Sequence, residues 1–189
     1  IAEREGALSF RGSRDNVLER YFMAAKQYEP EHVVRITSDC PCIDPGIIDL
    51  VIDRHLPQKV DYTSNAVIRS YPDGLDVEVF TFEALTKAYH NATNAYEREH
   101  VTPYIHDSPD IFKILHVEAP KELMAPEMRI TLDTREDYIV LCFVFDCLFD
   151  KNPFFSAVDI MDLYKKKSWL HFINQNIAPK RHCETLEDE

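Results

Sequence analysis

The chain is poor in glycine, with four in 189 residues. A self-contained phosphate cradle needs glycines where backbone amides must approach phosphate oxygens closely. Neither a Walker A loop nor a G-x-G-x-x-G fingerprint occurs. Basic residues are also few, 21 Lys and Arg against 33 Asp and Glu, for a net charge of -12. No basic stripe and no aromatic-basic interleaving supports nucleic-acid binding. No apolar run is long enough to span a bilayer, and no secretory leader is visible. Zinc spacing is missing too, because Cys40-Pro41-Cys42 is not C-x-x-C and no suitably spaced His pair accompanies it. The five cysteines are odd in number and lie largely in apolar settings. Reduced thiols in a cytoplasmic protein are expected rather than disulfides. Internal repeats and low-complexity linkers are absent, so a single domain over residues 1–178 with a polar tail over 179–189 is expected.

What is present points to phosphate chemistry done by other means. An acidic protein that handles phosphates must neutralise them locally, with a metal and a few placed cations. Two acidic motifs stand far apart: Val33-Val34-Arg35-Ile36-Thr37-Ser38-Asp39-Cys40-Pro41-Cys42-Ile43-Asp44-Pro45 and Arg129-Ile130-Thr131-Leu132-Asp133-Thr134-Arg135-Glu136-Asp137. In each, a β-branched run reaches Thr, Asp follows within two residues, and a helix start comes next. That arrangement puts Asp39 and Asp133 at the carboxyl ends of strands, where open α/β sheets bind ligands. Either Asp alone reads most simply as a turn or cap residue. Together they suit a hard cation, Mg²⁺ shared with substrate phosphates.

The periodicity alternates strand and helix. Strands are expected at 7–10, 32–37, 61–64, 76–81, 112–117 and 128–132. Helices are expected after Asp15, after Asp44-Pro45, from Phe82, over 96–106 with a kink at Pro103, after Thr134 as a capping box, and from Ser156. The result is a three-layer α/β/α domain with a mostly parallel sheet, in which 76–81 or 112–117 can break the parallel pattern. Asp76 and Glu78 stand two apart on one strand face, near the turn sequence Pro72-Asp73-Gly74. They read equally well as a solvated edge or as sugar or metal ligands. Glu97-Arg98-Glu99-His100 is a solvated charge cluster or an anion-facing one. Arg11-Gly12-Ser13-Arg14-Asp15 opens a helix, a position suited to an anion or nucleotide.

Taken in order, these blocks resemble a known group. Phe10-Arg11-Gly12-Ser13 with Asp15, Arg35-Ile36-Thr37 with Asp39-Cys40-Pro41, Tyr71 through Phe80, Glu97 through Tyr104, and Asp133-Thr134 with Glu136-Asp137-Tyr138 are similar to the spore coat polysaccharide biosynthesis protein F group of the cytidylyltransferase family. Relatives include the acylneuraminate and KDO cytidylyltransferases. The resemblance implies a nucleotide-diphospho-sugar transferase fold of the glycosyltransferase A type, Mg²⁺ as cofactor, and CTP with an acidic sugar as substrates. It implies catalytic and metal-side roles for Asp39 and Asp133, and nucleotide contacts from Arg11, Gly12, Ser13 and Asp15. The sugar side falls on Asp73, Gly74, Asp76, Glu78, Arg98, Glu99 and His100, and a homodimer is expected. The family's N-terminal strand and Gly-rich phosphate loop have no counterpart in these residues, so the chain by itself is expected to be inactive. Ser38 stands where relatives carry Gly. A glycosyltransferase of the same fold would need an Asp-x-Asp motif, whose nearest analogue is Asp76-Val77-Glu78, and a non-catalytic binding module is the alternative of another class.

Overall fold

A computed structural model describes residues 1–177 of the protein. A four-stranded sheet stands between two helical layers. Its strands are β1 (His32–Arg35), β2 (Tyr62–Ser64), β3 (Glu78–Thr81) and β4 (Ile114–His116), in the order β1-β3-β2-β4. Strands β1, β2 and β4 run the same way; β3 lies reversed between β1 and β2, so two of the three ladders are antiparallel. Residues 76–81 are therefore the segment that breaks the parallel pattern.

The helices are α1 (Val17–Tyr28), α2 (Pro45–Gln58), α3 (Phe82–Asn91), α4 (Ala95–His100), α5 (Pro103–His106), α6 (Arg135–Leu148), α7 (Ala157–Lys166) and α8 (His171–Asn174). Side-chain alternation along the strands sorts them into layers. Tyr62 and Phe80 pack with Leu18, Phe22, Leu85, Ala88 and Ile105 from α1, α3 and α5. Val77 and Val79 face the other way, onto Ile47 and Val51 of α2, Val140 and Val144 of α6, and Ile160 of α7. Tyr62, Phe80, Leu85, Ile105 and Ile160 are almost wholly buried. Burial of that kind contributes about 1.5–3 kcal/mol per large apolar side chain.

Several boundaries differ from the sequence expectation, for local reasons. Residues 7–10 carry no strand pairing. Asn16, not Asp15, caps α1, its side chain accepting from the Glu19 amide at 3.1 Å. Strand β1 stops at Arg35 because the chain turns back at Thr37, whose carbonyl accepts from the Cys40 amide. The helix expected over 96–106 is two helices separated by Val101 and Thr102. Val101 sits at φ 76°, ψ -54°, inside a turn that the Thr102 amide closes on the His100 carbonyl at 2.9 Å. Pro103, which has no amide to continue α4, starts α5 at N1. Residues 128–132 are extended but pair with loops, through a single parallel bridge between Asp73 and Arg129, so they form no strand. Asp44 with Pro45 and Thr134 with Asp137 start α2 and α6 as their sequences imply. The free thiols at Cys40, Cys42, Cys142 and Cys147 also agree with expectation. Among the described residues no helix is long and apolar enough to cross a membrane. The tail expected over 179–189 lies outside the described residues.

Candidate active site

The carboxyl ends of β1, β2 and β4 and the start of β3 lie at one end of the sheet, and the two acidic motifs meet there. Beyond β1 the chain forms the turn 37–40. The Asp39 carbonyl at its apex accepts both the Leu132 amide at 2.8 Å and the Thr131 hydroxyl at 3.0 Å. Asp39 is thus fixed one residue away from Asp133 in space, although 94 positions separate the two numbers. Asp44 anchors the far side of the same loop. One carboxylate oxygen caps α2 through Gly46 at 2.7 Å, and the other accepts the Ala157 amide of α7 at 2.7 Å.

A third segment joins them. The Asp73 amide donates to Met128 at 2.8 Å and its carbonyl accepts from Ile130 at 2.7 Å. Gly74 makes this approach feasible. Its φ is 108°, and a Cβ there would lie 2.7 Å from the backbone of Ile130 and Thr131. Asn65, at the end of β2, holds the next turn by donating to Leu75 at 2.8 Å and accepting from Val77 at 2.7 Å.

Charge at this end is organised by two guanidiniums. Arg129 donates from Nη1 to Asp73 at 2.9 Å, from Nη2 to Asp133 at 2.5 Å, and from Nε and Nη2 to Asp137, each at 2.9 Å. Asp137 is fully buried. Burial alone would raise its pKa, but hydrogen bonds from Arg129, Asn174 and the Asp133 backbone outweigh it and hold the carboxyl at about 2. Arg69 grips Asp76 with two 3.0 Å bonds and lies 3.4 Å from Asp73. Burial raises the Asp76 pKa above the ordinary carboxylate value against the pull of Arg69. Cys40 reports the same crowding: burial is the main cause that pushes its thiol to about 11, and Asp39, Asp76 and Asp73 add to it. Asp39, Asp73, Asp76 and Asp133 therefore share one acidic rim.

Glu78 has a different setting. Its side chain is 8% exposed and pairs with Arg35 directly across the ladder. It also accepts from the Tyr62 hydroxyl at 2.5 Å and the Thr102 hydroxyl at 2.6 Å. Those partners hold its side chain within the sheet, at the end where the acidic loops meet. Arg98 is likewise engaged, donating to the Ala92 carbonyl at 2.7 Å and covering the Tyr89 ring. It ties α4 to the end of α3. Glu99 and His100 are exposed, the latter with its ring against Tyr96. The block reaches the sheet end through Thr102, a residue the sequence reading passed over. Arg11, Gly12 and Asp15 are exposed ahead of α1. Ser13 is committed locally, its hydroxyl accepting from the Asn16 amide and its carbonyl from Arg20. Arg69, Arg129, Asp137 and Asn174 were not singled out from sequence.

Asp39 and Asp133 offer hard oxygen donors on two segments stitched together by backbone bonds. Mg²⁺ commonly takes one or two protein carboxylates and completes its shell with phosphate oxygens and water, so this donor set fits such an ion. Among the described residues no group of three or more His, Cys, Asp or Glu side chains is arranged to hold a metal ion.

A cytidylyltransferase family model matches residues 2–176, and the chain belongs to the cytidylyltransferase family. It is 38% identical over 190 residues to an uncharacterized protein of Methanocaldococcus jannaschii, covering 96% of this chain and 73% of that protein. It is 35% identical over 136 residues to the spore coat polysaccharide biosynthesis protein SpsF of Bacillus subtilis, over 71% of this chain and 55% of that protein. A cytidylyltransferase structure from Leptospira borgpetersenii serovar Hardjo-bovis superposes with a TM-score of 0.83 at 34% identity, covering 95% of this chain and 74% of that one.

Proposed function

We propose that the protein transfers a cytidylyl group from CTP to an acidic sugar, releasing pyrophosphate, in the synthesis of a surface polysaccharide or glycan. A sugar hydroxyl or phosphate oxygen forms the new bond to the α-phosphorus. The bond from that phosphorus to the bridging oxygen breaks, and pyrophosphate leaves. One observation carries the reading most strongly: the Asp39 carbonyl receives Thr131 and Leu132, which brings the carboxylates of both acidic motifs to one end of the sheet. The family match supports the reaction class, and the name of the Bacillus subtilis relative supports its use in polysaccharide synthesis.

In this reading Asp39 and Asp133 would hold Mg²⁺. When bound, the ion would offset the charge on the transferring phosphate. Arg11, Gly12, Ser13 and Asp15, at the start of α1, take the nucleotide side. Asp73 and Asp76 present carboxylates to sugar hydroxyls, with Gly74 fixing the path between them. Glu99 and His100 extend the sugar side from α4. The residues position and neutralise; they form no covalent intermediate.

The test is pyrophosphate release by the full-length protein with CTP and a panel of acidic sugars. Wild type is expected to turn over with at least one. Asp39→Asn should abolish release, because a neutral amide binds a hard cation poorly, while melting within about 2–3 °C of wild type, as a rim residue holds little packing. Full turnover by Asp39→Asn would remove the metal assignment. A wild type silent with every nucleotide and sugar would favour a binding module instead.

A further inference from the structure

The site reading assigns work to the carboxylates and none to Arg129. Yet Arg129 touches three carboxylates at this end of the sheet, Asp73, Asp133 and Asp137. Those three come from separate places in the chain: Asp73 from the loop between β2 and β3, Asp133 from the approach to α6, and Asp137 from inside α6. The burial gradient along the fork is informative. The Asp137 side chain is fully buried, that of Arg129 is 9% exposed, and those of Asp133 and Asp73 are 18% and 22% exposed. The inner end is fixed from behind. Asn174 of α8 donates to Asp137 at 2.9 Å and to the Arg129 carbonyl at 3.0 Å. The Asp133 and Thr134 amides hold the second oxygen of Asp137 at 3.1 and 3.0 Å.

We infer that Arg129 is a positioning residue: it carries the rigidity of the buried Asp137–Asn174 pair outward and presets the Asp133 and Asp73 carboxylates for cation and sugar. The inference rests on the metal-side reading of Asp133. Its physical basis is the planar guanidinium, whose nitrogens point in fixed directions and here serve three acceptors at once. An ammonium at the same place keeps the charge but has no fork. It cannot hold Asp137 through two nitrogens while reaching both rim carboxylates. Residues that orient ligand carboxylates from behind commonly change metal affinity by about ten- to a hundredfold when replaced.

Arg129→Lys isolates geometry from charge. The measurement is Mn²⁺ binding by the full-length protein, followed by electron paramagnetic resonance with and without CTP, alongside thermal melts. Arg129→Lys is expected to weaken Mn²⁺ binding at least about tenfold while the protein remains folded. Asn174→Ala leaves every charge in place and loosens only the rear of the fork, with a weakening of about tenfold expected, at the low end of such outer-layer effects. If Arg129→Lys does not fold, Asn174→Ala alone decides. Wild-type affinity in the folded variants would make Arg129 purely structural and overturn the inference while leaving the metal reading intact. A wild-type protein that binds no Mn²⁺ under either condition would remove the metal reading and this inference with it.

Discussion

Two guanidinium–carboxylate assemblies sit at the same end of the sheet and do opposite things. Around Glu78, one carboxylate meets one guanidinium, Arg35, and two neutral hydroxyls, Tyr62 and Thr102. Charge balances and the group is nearly closed to solvent. Around Arg129, one guanidinium meets Asp73, Asp133 and Asp137, with a net excess of negative charge on the more open side. A balanced buried pair holds structure together and breaks badly when one partner goes. An unbalanced cluster facing solvent calls for a cation from outside. The distribution of charge, more than the count of acidic residues, distinguishes the two assemblies.

The contrast can be broken by matched substitutions. Asp133→Asn should cut turnover by about a hundredfold or more, some 3 kcal/mol of transition-state stabilisation, if it removes a ligand of the phosphate-neutralising ion. Melting should change little, because Arg129 retains Asp73 and Asp137. Glu78→Gln should do the reverse. It leaves Arg35 buried without its counter-charge, and breaking such a pair costs about 3–5 kcal/mol. In a domain of this size that is a fall of roughly 10 °C in Tm. Parallel melts and initial rates on the two variants check both directions. A Glu78→Gln protein that melts normally but loses activity would return Glu78 to the sugar side.

The sequence carried the outer frame of this contrast but not its wiring. That Asp39 and Asp133 lie at one end of the sheet was legible because each follows a β-branched run and precedes a helix start, a pattern set by local backbone geometry. The three-layer class was legible for the same reason. What stayed hidden depends on long-range pairing. Nothing local to Glu78 announces that Tyr62 and Thr102 close over it. Asp76 and Glu78, two apart and alike in sequence, separate only once β3 starts at Glu78 and buries that residue. Arg129 reads as the second residue of an extended run, and its contacts to three carboxylates appear only when Asp73 arrives beside it. The reversed strand β3 was no more than one of two options, since alternation along a strand does not encode its direction.

The pH dependence of stability sharpens the comparison from another side. His55, buried on α2, contacts His32 at 3.0 Å and Thr63 at 2.8 Å, and burial followed by the neighbouring His32 lowers its pKa from 6.5 to about 4. With the folded pKa depressed, the unfolded chain takes up the proton first as pH falls. Stability should therefore decline from pH 6.5 towards 4, by up to about 3 kcal/mol. Asp137 acts lower: its stabilisation is present above 3.8 and is lost as pH falls towards about 2. Denaturant melts between pH 7 and 2 should thus show two declining windows. His55→Gln is expected to flatten the upper one and leave the lower one in place. An unaltered upper window in that variant would place the first decline elsewhere.

The smallest effect is expected at Ser38, the exposed residue before Asp39. If the turn at 37–40 needed glycine for close backbone approach, as 73–75 does at Gly74, a side chain there would crowd the packed loop. Gly74 is covered by the backbone of Ile130 and Thr131, whereas Ser38 stands at the surface. Ser38→Gly should consequently gain nothing in packing and lose a little through the greater freedom of the unfolded chain, about 0.5–1 kcal/mol. That corresponds to a fall of roughly 1–4 °C in Tm, with kcat/KM for CTP within about twofold of wild type. A large rise in turnover would mean that the Ser38 side chain obstructs the nucleotide, and that the rim beside Asp39 is more tightly occupied in the working enzyme than its exposure here implies.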